Sequence, residues 1–177
     1  MNRLKERLKI IVLRSSLLLV FTLATALTHA AGHSANMTLM VSVVADCSFD
    51  MASTLTMPDL PMGKLSGRGA GDKLADYKST LLLKASCNGT QKYKYTFSPA
   101  IKGGSCIGTD TGHLNYCLSI DNTDVDLSAG SAVYEVTQAS DRFDDAETLV
   151  TVIPQVGEVS PKPGTNTAVL TVTIEPS

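Results

Sequence analysis

Histidine is scarce in this chain, with three in 177 residues. Beyond residue 30 only His33 and His113 remain, and each is an isolated imidazole without the orienting partner that a catalytic triad needs. Closely spaced cysteine pairs are also absent. Cys47, Cys87, Cys106 and Cys117 are separated by 40, 19 and 11 residues, none of which is the short interval of a zinc site. The acidic run Asp121-Asn122-Thr123-Asp124-Val125-Asp126 lacks the glycine and the distal glutamate of a calcium loop, and reads as a turn. Asp141, Asp144 and Asp145 read as a solvated loop, with no apolar setting to raise a carboxylate for acid catalysis. No catalytic set, metal site or cofactor site is expected from these residues. Internal repeats, low-complexity tracts and a helical apolar period are missing as well, and no second apolar run is long enough to span a membrane.

What is present begins with an N-terminal pattern of three regions. Arg3, Lys5, Arg7, Lys9 and Arg14 precede an apolar stretch from Ser15 to Leu27, and small residues follow to Ala30-Ala31. This order predicts a secretory signal over residues 1–30, cut after Ala30 or, alternatively, after Ala26. The whole chain carries 15 Lys+Arg and 17 Asp+Glu. Residues 1–30 hold five of the bases and one acid, so the remaining 147 residues carry 10 against 16, a net charge of −6. Such a balance repels nucleic acid and anionic membrane, and neither is expected as a partner. All four cysteines lie in the remainder. An even count in an exported chain predicts two disulfides, with three pairings open and Cys47–Cys87 with Cys106–Cys117 preferred.

Period-two alternation dominates the rest. Residues 35–45 place Met37, Leu39, Val41 and Val43 on one side. Leu55–Lys64, with two prolines and a glycine, reads as an edge or irregular strand. Thr80–Cys87 alternates again, and Asn88-Gly89 predicts a tight hairpin turn. Tyr93, Tyr95 and Phe97 oppose Lys92, Lys94 and Thr96, which separates the aromatics from the lysines and argues against a base-stacking surface. Further strands are expected at Leu114–Ile120, Val133–Thr137, Thr148–Val156 and Ala168–Ile174. Seven or eight short strands of this kind predict an all-β antiparallel sandwich in one domain.

Several segments, taken in order, resemble the spore coat U domain family, the pilin-like subunits of archaic chaperone–usher systems. An alternating segment leads into a cysteine, from Met37 to Cys47. Leu60-Pro61-Met62-Gly63-Lys64-Leu65-Ser66-Gly67 is similar to the family's L-x-x-G-x-x-S-G stretch. One strand ends in Cys87-Asn88-Gly89-Thr90 and another, Leu114–Asp121, contains a tyrosine and ends in aspartate. The finish from Pro163 to Ile174 resembles the family's P-x-G-x-Y-x-D-x-x-x-V-x-V terminus.

The resemblance implies an immunoglobulin-like sandwich that lacks its final strand. A periplasmic chaperone fills the resulting groove, and an outer-membrane usher exchanges it for the N-terminal segment of the next subunit. Residues 31–46 would then be a donor-strand extension and residues 47–177 the pilin-like domain. Met37, Leu39, Val41 and Val43 are the implied donor side chains, about 6.6–6.8 Å apart along a strand. Burying each contributes roughly 1.5–3 kcal/mol. Cys47–Cys87 fits the family, and Cys106–Cys117 would be an addition that pins the loop holding His113. The expected role is a structural subunit of a surface fimbrium supporting adhesion or biofilm formation, without enzymatic activity. The alternative is a secreted monomeric β-sandwich that binds carbohydrate or protein and buries residues 35–45 in its own core.

Overall fold

The computed structural model describes residues 40–177. The signal sequence expected over residues 1–30, together with His33, Met37 and Leu39, lies outside the described residues. Ten strands form, all paired antiparallel: β1 (Asp46–Met51), β2 (Ser79–Asn88), β3 (Lys92–Pro99), β4 (Lys102–Gly103), β5 (Cys106–Gly108), β6 (Leu114–Ile120), β7 (Thr123–Val125), β8 (Ala132–Thr137), β9 (Arg142–Val156) and β10 (Leu170–Pro176). Two single-turn 3₁₀ helices, Met62–Lys64 and Ala75–Tyr77, interrupt the connection from β1 to β2. The strand count exceeds the expected seven or eight because the short β4, β5 and β7 extend one sheet.

That larger sheet runs β1-β2-β9-β6-β5-β4, with β7 also on β6; the smaller runs β10-β3-β8. Alternation sends one face of each sheet inward. Leu81, Leu83, Ala85 and Cys87 of β2 meet Tyr93, Tyr95 and Phe97 of β3, with Leu118, Ile120, Val150, Val152 and Leu127 completing the interior. Tyr93, Tyr95 and Phe97 are fully buried. Their rings contact edge to face or tilted, Tyr93 against Tyr95 at 5.4 Å and Tyr95 against Phe97 at 6.2 Å.

Both expected disulfides form. Cys47 and Cys87 are register partners of β1 and β2, and Cys106–Cys117 joins β5 to β6. No cysteine is left free, which indicates an oxidising environment, extracellular or periplasmic. Among the described residues no helix is long and apolar enough to cross a membrane.

Two local expectations are corrected. Asn88-Gly89 does not close a hairpin, because β2 pairs with β1 and β9 while β3 pairs with β10 and β8. The segment carries the chain from one sheet to the other. Gly89 alone takes positive φ (81°), and its amide and that of Thr90 donate to the Asp141 carbonyl. Two-residue hairpins lie instead at Gly104-Ser105, between the paired residues Gly103 and Cys106, and at Asp121-Asn122, where φ is 50° and 62° between Ile120 and Thr123. The stretch Leu55–Lys64 forms no strand; Pro58 and Pro61 withhold the amides a ladder requires, and the chain runs irregularly into the first 3₁₀ turn.

Candidate functional site

The smaller sheet ends at β10, whose outer edge pairs with no strand among the described residues. Which peptide groups point outward follows from the register. The Ala100 amide donates to the Val169 carbonyl, and the Ser177 amide to that of Lys92. Antiparallel pairs alternate, so odd-numbered residues of this strand bond to β3 and even-numbered ones face away. Leu170, Val172 and Ile174 therefore present their amides and carbonyls to the open edge. The side chain of Val172 is buried and those of Leu170 and Ile174 are half-buried, while Thr171, Thr173 and Glu175 are exposed. This unpaired edge thus runs along the border of the core, with β1 of the other sheet close to part of it.

An apolar groove of about 960 Å³ opens at the Leu170 end of this strand. One wall is the irregular segment from Met51 to Met62, the other the approach to β10 from Pro161 to Leu170, and Leu81, Leu118 and Val152 form the floor. Proline makes the first wall possible, since a regular strand there would close the groove with a paired edge.

Polar contacts hold the second wall. Asp110 and Thr167 exchange two hydrogen bonds, from the Asp110 amide to the Thr167 carbonyl (3.0 Å) and from the Thr167 amide to Asp110 Oδ1 (2.9 Å). The Tyr116 hydroxyl donates to the Asn166 carbonyl at 3.3 Å, and Thr111 Oγ1 bonds the Asn166 side chain. Burial, then the Asp110 carboxylate, holds the Tyr116 hydroxyl above the usual phenol range, so it stays a donor. These bonds fix the wall to the connection between β5 and β6.

The other implied site residues fall as follows. Val41 and Val43 are 88% and 92% exposed, and Met40 and Val44 beside them are exposed too. Residues 40–45 belong to no strand and precede β1. Ala45 lies against Gly89, where a Cβ would stand 3.4 Å from the Ala45 Cα. Cys47 and Cys87 anchor β1 immediately after this point. Cys106 and Cys117 are buried beside the same strands that carry the groove residues Ile107 and Tyr116. His113 lines the groove, its buried Nδ1 without a hydrogen-bond partner among the described residues. Three or more metal-ligating side chains do not gather anywhere among the described residues.

Sequence reasoning missed the two groove walls. The only signal was the pairing of prolines with Leu55, Met57, Leu60 and Met62, an apolar stretch that could not be a regular strand. No protein-family model and no curated protein matches the chain.

Proposed function

We propose that this chain is a structural fibre subunit assembled by donor-strand exchange. One observation carries the reading: a strand edge unpaired among the described residues borders an apolar groove, while Val41 and Val43 of the alternating apolar segment are exposed. An extended peptide laid along β10 would pair with the outward groups of Leu170, Val172 and Ile174 and seat alternate side chains in the groove. Met37, Leu39, Val41 and Val43 supply that alternation. On this reading the sandwich is immunoglobulin-like and lacks its last strand, as the resemblance to the spore coat U domain family implies. A periplasmic chaperone covers the groove first, and an outer-membrane usher delivers the neighbouring subunit's arm into a cell-surface fimbrium that serves adhesion or biofilm formation.

Reach and turn chemistry favour an arm from a second copy. Asp46 lies opposite Asn88, at the end of the sandwich where β10 finishes, whereas the groove begins at Met51. The five steps of β1 between them span roughly 17 Å. An arm antiparallel to β10 would put Val43 in its own groove at least that far from Asp46, yet the three peptide steps joining those residues reach at most about 11 Å. A parallel arrangement would need a reversal at Val44-Ala45. A two-residue hairpin turn wants positive φ, which β-branched valine resists. Contacts between successive copies are then head to tail and do not close, so they give a filament.

The rival reading, a monomeric binding module, needs residues 35–45 in its own core; the exposure of residues 40–44 disfavours it. The deciding experiment replaces Leu39 or Val41 by Asp. Subunit–subunit assembly should stop while chaperone capture persists, and normal filaments from either variant would overturn the proposal.

A further inference from the structure

Every methionine among the described residues lies on the groove or on the arm. Met51, Met57 and Met62 line the groove, and Met40 is 91% exposed. The buried interior is built of Leu, Ile, Val, Tyr and Phe, with Ala and Cys, and contains no methionine. An unbranched thioether moulds to varied neighbours, which suits a wall that must close around a strand from elsewhere. It is also the apolar side chain most readily made polar by two-electron oxidants. Met62 is 42% exposed, and Met51 and Met57 are half-buried at the groove.

We propose that this methionine wall is a modification site for hydrogen peroxide, which decides whether the groove can accept a strand. The inference rests on the strand-accepting role proposed above. In the reaction a sulfur lone pair attacks one peroxide oxygen and the O–O bond breaks. The sulfur gains that oxygen and is oxidised by two electrons; the other oxygen leaves as water, carrying both peroxide hydrogens. The resulting S=O group is bulkier and far more polar than the thioether, in a lining that includes Leu55, Leu60 and Leu170 as well as the hydroxyls of Thr54, Thr56 and Tyr116. Seating the apolar side chains of a strand against it strips its water and sets hydrocarbon against a dipole, so binding weakens. A strand already in place covers Met51 and Met57, so the free subunit is sensitive and the assembled joint resists.

The test uses the full chain at a concentration where it sediments as a monomer. A fluorescent peptide of residues 35–45, with norleucine at positions 37 and 40, reports groove binding by anisotropy after peroxide has been removed. Treatment should place sulfoxides on Met57 and Met62, located by peptide mass mapping, and weaken peptide binding about tenfold or more. Methionine sulfoxide reductases should restore it. Whatever affinity the triple variant M51L/M57L/M62L has before treatment, peroxide should leave it unchanged. Unchanged binding by a chain carrying both sulfoxides, or an equal loss in the triple variant, would overturn the inference alone. Failure of the untreated chain to bind would overturn the strand-accepting role and the inference with it.

Discussion

The Ser177 amide and the Thr90 hydroxyl both donate to the main-chain carbonyl of Lys92, at 3.0 and 2.8 Å. The last described residue is thereby tied to the turn against which Ala45 packs and beside which β1 begins. The root of the N-terminal arm and the end of β10 share one end of the sandwich, and the groove opens at the other. Strand direction and tether length together then decide which molecule's arm fits.

Replacing Val44-Ala45 by Asn-Gly tests that geometry. The new pair favours a two-residue hairpin turn and lets the arm fold back parallel to β10 in its own groove. Sedimentation velocity should show the double variant as a closed monomer under conditions where the parent chain self-associates. Val44→Ala, which supplies no such turn, should behave like the parent.

The two disulfides should differ in their effect. Cys47–Cys87 closes a separation of 40 residues and Cys106–Cys117 one of 11. The chain-entropy relation assigns them about 4 and about 3 kcal/mol. Urea titration of C47A/C87A should therefore show the larger fall in stability, and it should also loosen the arm root. A larger fall in C106A/C117A would show that local packing outweighs loop closure.

Tyr93 and Tyr95 carry buried hydroxyls without hydrogen-bond partners among the described residues. A buried polar group left unpaired costs roughly 1–3 kcal/mol. Tyr93→Phe keeps the ring contacts with Tyr95 and Phe143 and removes one such group. Its thermal midpoint should equal or exceed that of the parent; a clear decrease would reveal that the hydroxyl has a stabilising partner.

Alkaline stability should depend on Tyr134, which donates to Asp121 Oδ2 at 2.6 Å. That bond to a carboxylate, aided by partial burial, pushes the hydroxyl up to about 12. The folded value exceeds the unfolded one, near 10. The contribution is therefore complete below about pH 10 and disappears as pH rises through about 12. Melting followed by circular dichroism should show the parent losing more over that window than Tyr134→Phe, which starts lower.

Legibility varied with the kind of interaction involved. Alternation exposed β2, β3 and the end of β6 because one face of each is buried, and burial writes a period of two into the residues. Turn chemistry was legible in type but not in place: Asn88-Gly89 looked like a hairpin turn, whereas two-residue hairpins form at Gly104-Ser105 and Asp121-Asn122. A turn signal states that the chain bends, and the partner across the bend is chosen by distant strands. The groove was nearly invisible, since its walls, Met51–Met62 and Pro161–Leu170, lie far apart in sequence and lack a regular period. Their shape depends on Asp110 holding Thr167, a contact between residues 57 positions apart.

Composition and periodicity by themselves determined an acidic, disulfide-bearing, all-β domain with an alternating apolar segment ahead of its first cysteine. These are properties of single strands and of counts, so the linear order of residues carries them. Tertiary structure alone decided that the outer edge of β10 pairs with no strand among the described residues, that the groove lies at its Leu170 end, and that Val43 and Val44 are exposed. An edge exists only when every other strand has found its partner, and that is a property of the whole set of pairings rather than of any one segment.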